Sequence, residues 1–198
     1  DKQLYYKNRE VLKSVNKIKD PAFKTGTFEN DQLYLEACTT NLILEGVFFF
    51  SAFLIFFNFG RQNKMNGSRE MIQFINRDED LHVALFVNII NTIKQEQPEL
   101  WTEELQQLIS NNMKASVEME AEWGSACVGE GILGLTPQNV TEYVQFIGDI
   151  RLESIGLPKI WNSKNPFPWL DEFTQGNMIE VNFFEGKVKE YQTGTLEW

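Results

Sequence analysis

Apolar side chains recur at helical spacing along most of this chain, and the pattern predicts four long helices. The first runs from about Asp31 to Asn63 and contains LILEGVFFFSAFLIFF, residues 42–57, an almost wholly apolar run. MNGS at 65–68 breaks it, and a second helix runs from about Arg69 to Gln95, ending before Pro98. TEELQQLISNNMKASVEMEAEW, 102–123, reads as a third helix with Thr102 as N-cap and acids in its first turn. A fourth spans about Pro137 to Ile155, with proline in its first turn. Residues 1–19 form a weak amphipathic pattern through Leu4, Val11, Leu12, Val15 and Ile18. DPAFKTGTFEN (20–30) reads as a loop, GEGILGLTP (129–137) as a turn and GLPKIWNSKNPFPW (156–169) as loop-rich. No repeat and no pair of strands is legible. The expected class is all-α, and helices of this length suit a bundle. The chain divides into an N-terminal helix and loop (1–30), a helical bundle region (31–173) and a C-terminal tail (174–198) with little periodicity.

The run at 42–57 calls for a membrane test. A spanning helix needs about 20 apolar residues, and this run is shorter and carries Glu45, which is costly in lipid. A buried core helix is the reading that fits. The formal charge of −10 and a pI near 4.7 argue against nucleic acid, because phosphate binding needs a basic face. The two cysteines, Cys38 and Cys127, form no metal or redox motif and read as buried thiols of a reducing compartment, a disulfide between them being the other reading. DKQLYYKNRE at the start is charged and unlike a secretory signal. The expectation is a cytoplasmic protein with neither nucleic acid nor membrane as partner.

Candidate chemistry sits on the second helix. FINRDEDLHVALF, 74–86, holds the single histidine, His82, three residues after Glu79. Ile72, Ile75, Glu79, His82 and Phe86 share one helical face, so the pair is expected to point toward a core, with Asp78 and Asp80 directed elsewhere. On the first helix Glu45 shares a face with Phe49, Ala52, Phe53 and Phe56, as the lone carboxylate in the most apolar run. A buried carboxylate is unfavourable by itself. It must be protonated, paired with a cation or bound to a metal. Glu-x-x-His alone is a weak signal, and a lone histidine on a helix is often a satisfied core or rim residue. A bare Glu on one apolar face and Glu-x-x-His on another match the pattern of di-iron carboxylate bundles. Hard carboxylate oxygens can bridge two ions and neutralise them, and imidazole adds one nitrogen per ion.

LEGVFFFSAFLIFFNFGRQNKM, FINRDEDLH, NPFPW and NFFEGKVKEYQTG, together with DPAFKTGTFENDQ, resemble the small, radical-generating subunit of class I ribonucleotide reductase, most closely its manganese/iron subgroup. The separation of 34 residues between Glu45 and Glu79 agrees with that family. The resemblance covers essentially the whole chain and implies a ferritin-like bundle of which this chain supplies the C-terminal helices. It implies metal ligation by Glu45, Glu79 and His82, and an apolar cofactor pocket of Phe49, Phe53 and Ile75. It implies radical-transfer roles for Asp78 and for Tyr191 in the tail, and a dinuclear Mn/Fe or Fe/Fe cofactor. Trp198 reads as a partner anchor or as an exposed aromatic.

One departure is large. The family's first carboxylate, its first Glu-x-x-His, the radical-bearing position and the transfer tryptophan have no counterpart here. With one histidine this chain holds half a site. The expectation is a separate N-terminal half supplying the other ligands, ahead of a fragment or a symmetric pairing of two copies. The expected partners are that half and the large catalytic subunit, in a dimer of assembled small subunits that reduces ribonucleotides to deoxyribonucleotides. The apolar faces predict that the chain alone aggregates or folds poorly. The rival readings are another di-metal carboxylate oxidase of the ferritin-like type and a metal-free half-bundle for assembly.

Overall fold

The computed structural model describes residues 18–171 except 130, together with positions 5, 9, 12 and 16. Those isolated positions are helical, but the rest of the 1–17 stretch and the tail from 172 onward, with Tyr191 and Trp198, lie outside the described residues. Among the described residues there is no strand, as an all-α class requires.

Among the described residues five α-helices from Phe28 onward carry the fold: α1 (Phe28–Val47), α2 (Phe50–Arg61), α3 (Asn66–Glu96), α4 (Glu103–Val128) and α5 (Pro137–Ser154). Their starts are written locally. The Thr27 hydroxyl accepts from Asn30 N, and the Thr102 hydroxyl accepts from Leu105 N at 3.2 Å. Thr136 and Asn139 form a reciprocal capping box with Pro137 at the first position. The end of α5 is also local. Gly156 adopts φ +79, and Leu157 N donates back to Leu152 O at 2.9 Å.

Three expectations need correction. The helix predicted over 31–63 is two helices, broken at Phe48–Phe49. The face proposed for Glu45, Phe49, Ala52, Phe53 and Phe56 is therefore not continuous: Phe50, Phe53, Leu54 and Phe57 point into the core, and Phe49 is turned outward. The interruption before α3 falls at 62–65, where Asn63 and Met65 take positive φ, so the MNGS segment mostly forms the first turn of α3. Finally, only Cys38 is a buried thiol; Cys127 is exposed, because it falls off the Met113–Val117–Ala121–Val128 face of α4. The two thiols are not bonded to each other.

The break divides the core in two. Leu35, Leu42 and Val47 of α1 pack with Val83 and Ile90 of α3 and with Ile109, Met113 and Val117 of α4. Beyond the break, Phe53, Leu54 and Phe57 of α2 pack with Val140, Tyr143 and Ile147 of α5 and with Phe167 and Leu170. The Phe28–Arg61 stretch is long and apolar enough to cross a membrane by length and composition, but it is mostly buried, as the core helices of a bundle are. Residues 156–169 are irregular as expected, yet they are tied down. Buried Asp149 accepts from the backbone N–H groups of Ile160 (2.8 Å), Trp161 (3.1 Å) and Ser163 (3.1 Å).

Candidate metal centre

Packing of α1 along α3 brings the last turn of α1 beside the middle of α3. Glu45 projects from the first and Glu79 and His82 from the second. Glu79 and His82 meet because residues three apart stand one above the other on a helix. The Nδ1 of His82 lies 2.9 Å from Glu79 Oε2 and 3.8 Å from Glu45 Oε2. The three candidate ligand atoms all lie within 4.8 Å of one another. A residue 34 positions upstream thus joins a local pair, and the Nδ1 edge of the imidazole faces both carboxylates.

The electrostatics are those of negative charge gathered in a half-buried place. Burial pushes the Glu45 carboxyl up to about 7, helped by its hydrogen bond to Glu79, by the charge of that carboxylate and by Asp78, and opposed by His82. The hydrogen bond to Glu79 raises His82 above its ordinary value; burial opposes this, and the charges of Glu79, Glu45 and Asp78 add to it. Raised this far, the Glu45 carboxyl holds a proton up to near neutrality in the absence of another cation. A divalent ion is the other way to relieve the repulsion. Two hard oxygen donors and one imidazole nitrogen suit iron or manganese. The donor set therefore fits a metal, with room for further ligands on its open side.

That open side is plain in the exposure. The Glu45 and Glu79 side chains are 21% and 14% exposed, but His82 is 44% exposed. The face of α3 that enters the core carries Asn76, Val83 and Ile90, so His82 and Ile75 stand at its edge and do not point into the core as expected. Of the three residues expected to line a dry pocket, Phe53 is buried, while Phe49 and Ile75 are exposed among the described residues. Phe49 and Phe53 stack with ring centroids 6.1 Å apart. Asp78 is exposed beside the cluster, and Phe86 is half-buried against the core.

Sequence reasoning missed two charged residues near the site. Glu120 on α4 has no exposed surface and accepts from Ser51 N and the Ser51 hydroxyl. Arg151 on α5 donates from Nε to Gly46 O at 3.2 Å. Burial lowers the pKa of this guanidinium, partly offset by Asp80 and Tyr143. The signal was present in both cases. Glu120 falls on the Met113–Val117–Ala121 stripe and Arg151 on the Val144–Ile147 stripe, lone charges on apolar faces just as Glu45 is.

An all-helical packing with carboxylates and an imidazole converging from two helices defines a class, the ferritin-like helical proteins. Residues 1–166 match the family described as "Ribonucleotide reductase, small chain", and the chain belongs to that family. It is 44% identical over 183 residues to the ribonucleoside-diphosphate reductase subunit beta of Chlamydia pneumoniae, covering 91% of this chain and 53% of that protein. It is 34% identical over 190 residues to the corresponding subunit of Halalkalibacterium halodurans, covering 94% and 55%. Among solved structures it is similar to the ribonucleotide reductase R2 subunit from Clostridium botulinum, with a TM-score of 0.77 and 34% identity over 88% of this chain and 53% of that one. A class I ribonucleotide reductase structure from Bacillus halodurans is similar at a TM-score of 0.78 and 32% identity, over 87% and 60%. The chain therefore spans just over half the length of the relatives it matches.

Proposed function

We propose that this chain contributes half of the dinuclear metal centre of a ribonucleotide reductase radical-generating subunit, with Glu45, Glu79 and His82 as ligands. The convergence of these three side chains, in a member of this family, is the observation that carries the reading. The metal pair, Mn/Fe or Fe/Fe, supplies oxygen activation when bound. The protein's part is to hold and aim the donors, keep water out and relay protons. Glu45 gives up its proton as the ligand set forms. Phe53, with Phe49 and Ile75 once their exposed faces are covered, keeps the site apolar. Asp78 and the tail residue Tyr191 serve radical transfer toward a large catalytic subunit, where ribonucleotides are reduced to deoxyribonucleotides. On this reading 31–173 is the ligand-bearing bundle region, 174–198 the segment that meets the large subunit, and the assembly a cytoplasmic dimer of small subunits.

The remaining ligands come from helices outside these 198 residues. The open side of the site and the single histidine support this. Intact mass of the native protein shows whether those helices and this segment lie on one polypeptide or on two. Metal analysis of that assembly tests the site. Two metal ions per assembled site are expected, and fewer than half of that in Glu79→Gln and His82→Ala. Unchanged metal content in those variants would refute the ligand assignment. Tyr191→Phe separates reductase from oxidase: reductase turnover should be lost while metal content and oxygen uptake persist.

A further inference from the structure

The first long helix breaks just after Glu45, and nothing local holds the break. The last turn of α1 has no basic residue, and α2 has neither an acid in its first turn nor a side-chain cap. A break inside a core leaves the carbonyls that end one helix and the amides that begin the next without helical partners. Two side chains from other helices, half-buried Arg151 and fully buried Glu120, take up one of each. Arg151 donates to the Gly46 carbonyl, and Glu120 accepts from the Ser51 amide at 3.2 Å and from the Ser51 hydroxyl. A donor at the carbonyl end and an acceptor at the amide end are what the open backbone groups of a helix break require. Gly46 is shaped to this contact: a Cβ there would sit 2.9 Å from Arg151 Nε. The guanidinium also lies over the Phe50 ring, 5.1 Å from its centre, just past the break. A fully buried carboxyl group and a half-buried guanidinium are a costly way to fill a bundle core, and apolar side chains of similar volume serve packing as well. Their contacts fall on either side of Phe48–Phe49, and Gly46 is the residue next to Glu45.

We propose that Arg151 and Glu120 are positioning residues of the candidate metal centre: together they hold the α1–α2 break and so aim the Glu45 carboxylate at Glu79 and His82. The inference rests on Glu45 being a ligand. In an unbroken helix Phe49, four residues on, would stand directly over Glu45 and crowd the side facing α3. With the break, Phe49 leaves the register of α1, its exposed ring stacked 6.1 Å from that of Phe53 at the edge of the site, and the Glu45 carboxylate lies within reach of Glu79 and His82.

Cobalt(II) is a suitable probe, because its visible absorption reports coordination number and geometry without turnover. The test loads the assembled small subunit containing this chain and reads the spectrum, the stoichiometry by equilibrium dialysis and the Tm by circular dichroism. Arg151→Gln removes the cation, and Gly46→Ala displaces it with one methyl group and no change of charge. Each is expected to alter the cobalt spectrum and weaken binding about tenfold. Arg151→Lys, which keeps a donor, should recover part of both. Phe57→Ala, which destabilises the core away from the clamp, should lower Tm and leave the spectrum unchanged. A folded Arg151→Gln or Gly46→Ala protein with wild-type spectrum and affinity would overturn the inference. So would loss of fold in both variants, because the pair would then support the whole bundle and not the site. Failure of the wild-type assembly to bind cobalt would overturn the ligand reading itself, a different result from wild-type binding unaffected by the variants.

Discussion

Loading the centre with a divalent metal should release protons, and the pH dependence of affinity should show how many. Burial and Glu79 hold the Glu45 carboxyl at about 7, so about one molecule in ten is ionised there at pH 6 and about nine in ten at pH 8. A metal that binds only the ionised form therefore gains about tenfold in apparent affinity between those pH values from this group alone, or about 1.4 kcal/mol. His82, also raised by its hydrogen bond to Glu79, adds to the slope in the same direction. Glu45 and His82 each feel the other's charge, so the profile reports the two together and not one residue. Manganese(II) binding to the assembled subunit, followed by calorimetry in buffers of different ionisation enthalpy, measures affinity and proton release together. Asp78→Asn removes a charge that raises both groups without removing a ligand. It should move the rise toward lower pH. An affinity that stays flat from pH 6 to 8, with no proton released, would refute the reasoning.

Without metal the same groups should make the fold less stable as pH rises. Glu45 and His82 both have folded pKa values above their ordinary ones, so the folded state holds protons the unfolded state has lost; for Glu45 that window runs from about 4.5 to about 7. The Tm of metal-free protein should fall across it, and bound metal should reverse the trend. Phe57→Ala should cost about 3–5 kcal/mol by chemical denaturation, because its ring is almost wholly buried in the α2–α5 core. Asp149→Ala leaves three backbone N–H groups without their acceptor, at a cost of about 3 kcal/mol. It should open 156–169 to limited proteolysis before the helices are cut.

Helix positions were legible because their signals are local. Thr102 and Thr136 stand where caps belong, and both hydroxyls accept from the amide three residues on. The meeting of Glu79 and His82 follows from helical spacing alone. Glu45 was legible only by exclusion, as a carboxylate on an apolar face in need of a partner. Its partners are visible only once α1 lies along α3. The outward turn of Phe49 was not legible at all, because an unbroken apolar run reads as an unbroken helix.

The sequence by itself determined an all-helical chain, the starts of α4 and α5 and a Glu-x-x-His pair, since each depends on residues within one or two turns of each other. Tertiary structure alone decided where the first helix breaks and which face Glu45 presents. The groups that satisfy the broken backbone, Glu120 and Arg151, lie 69 residues from Ser51 and 105 from Gly46. A backbone polar group buried in a core must find a partner. When that partner lies on another helix, no local pattern can announce the break.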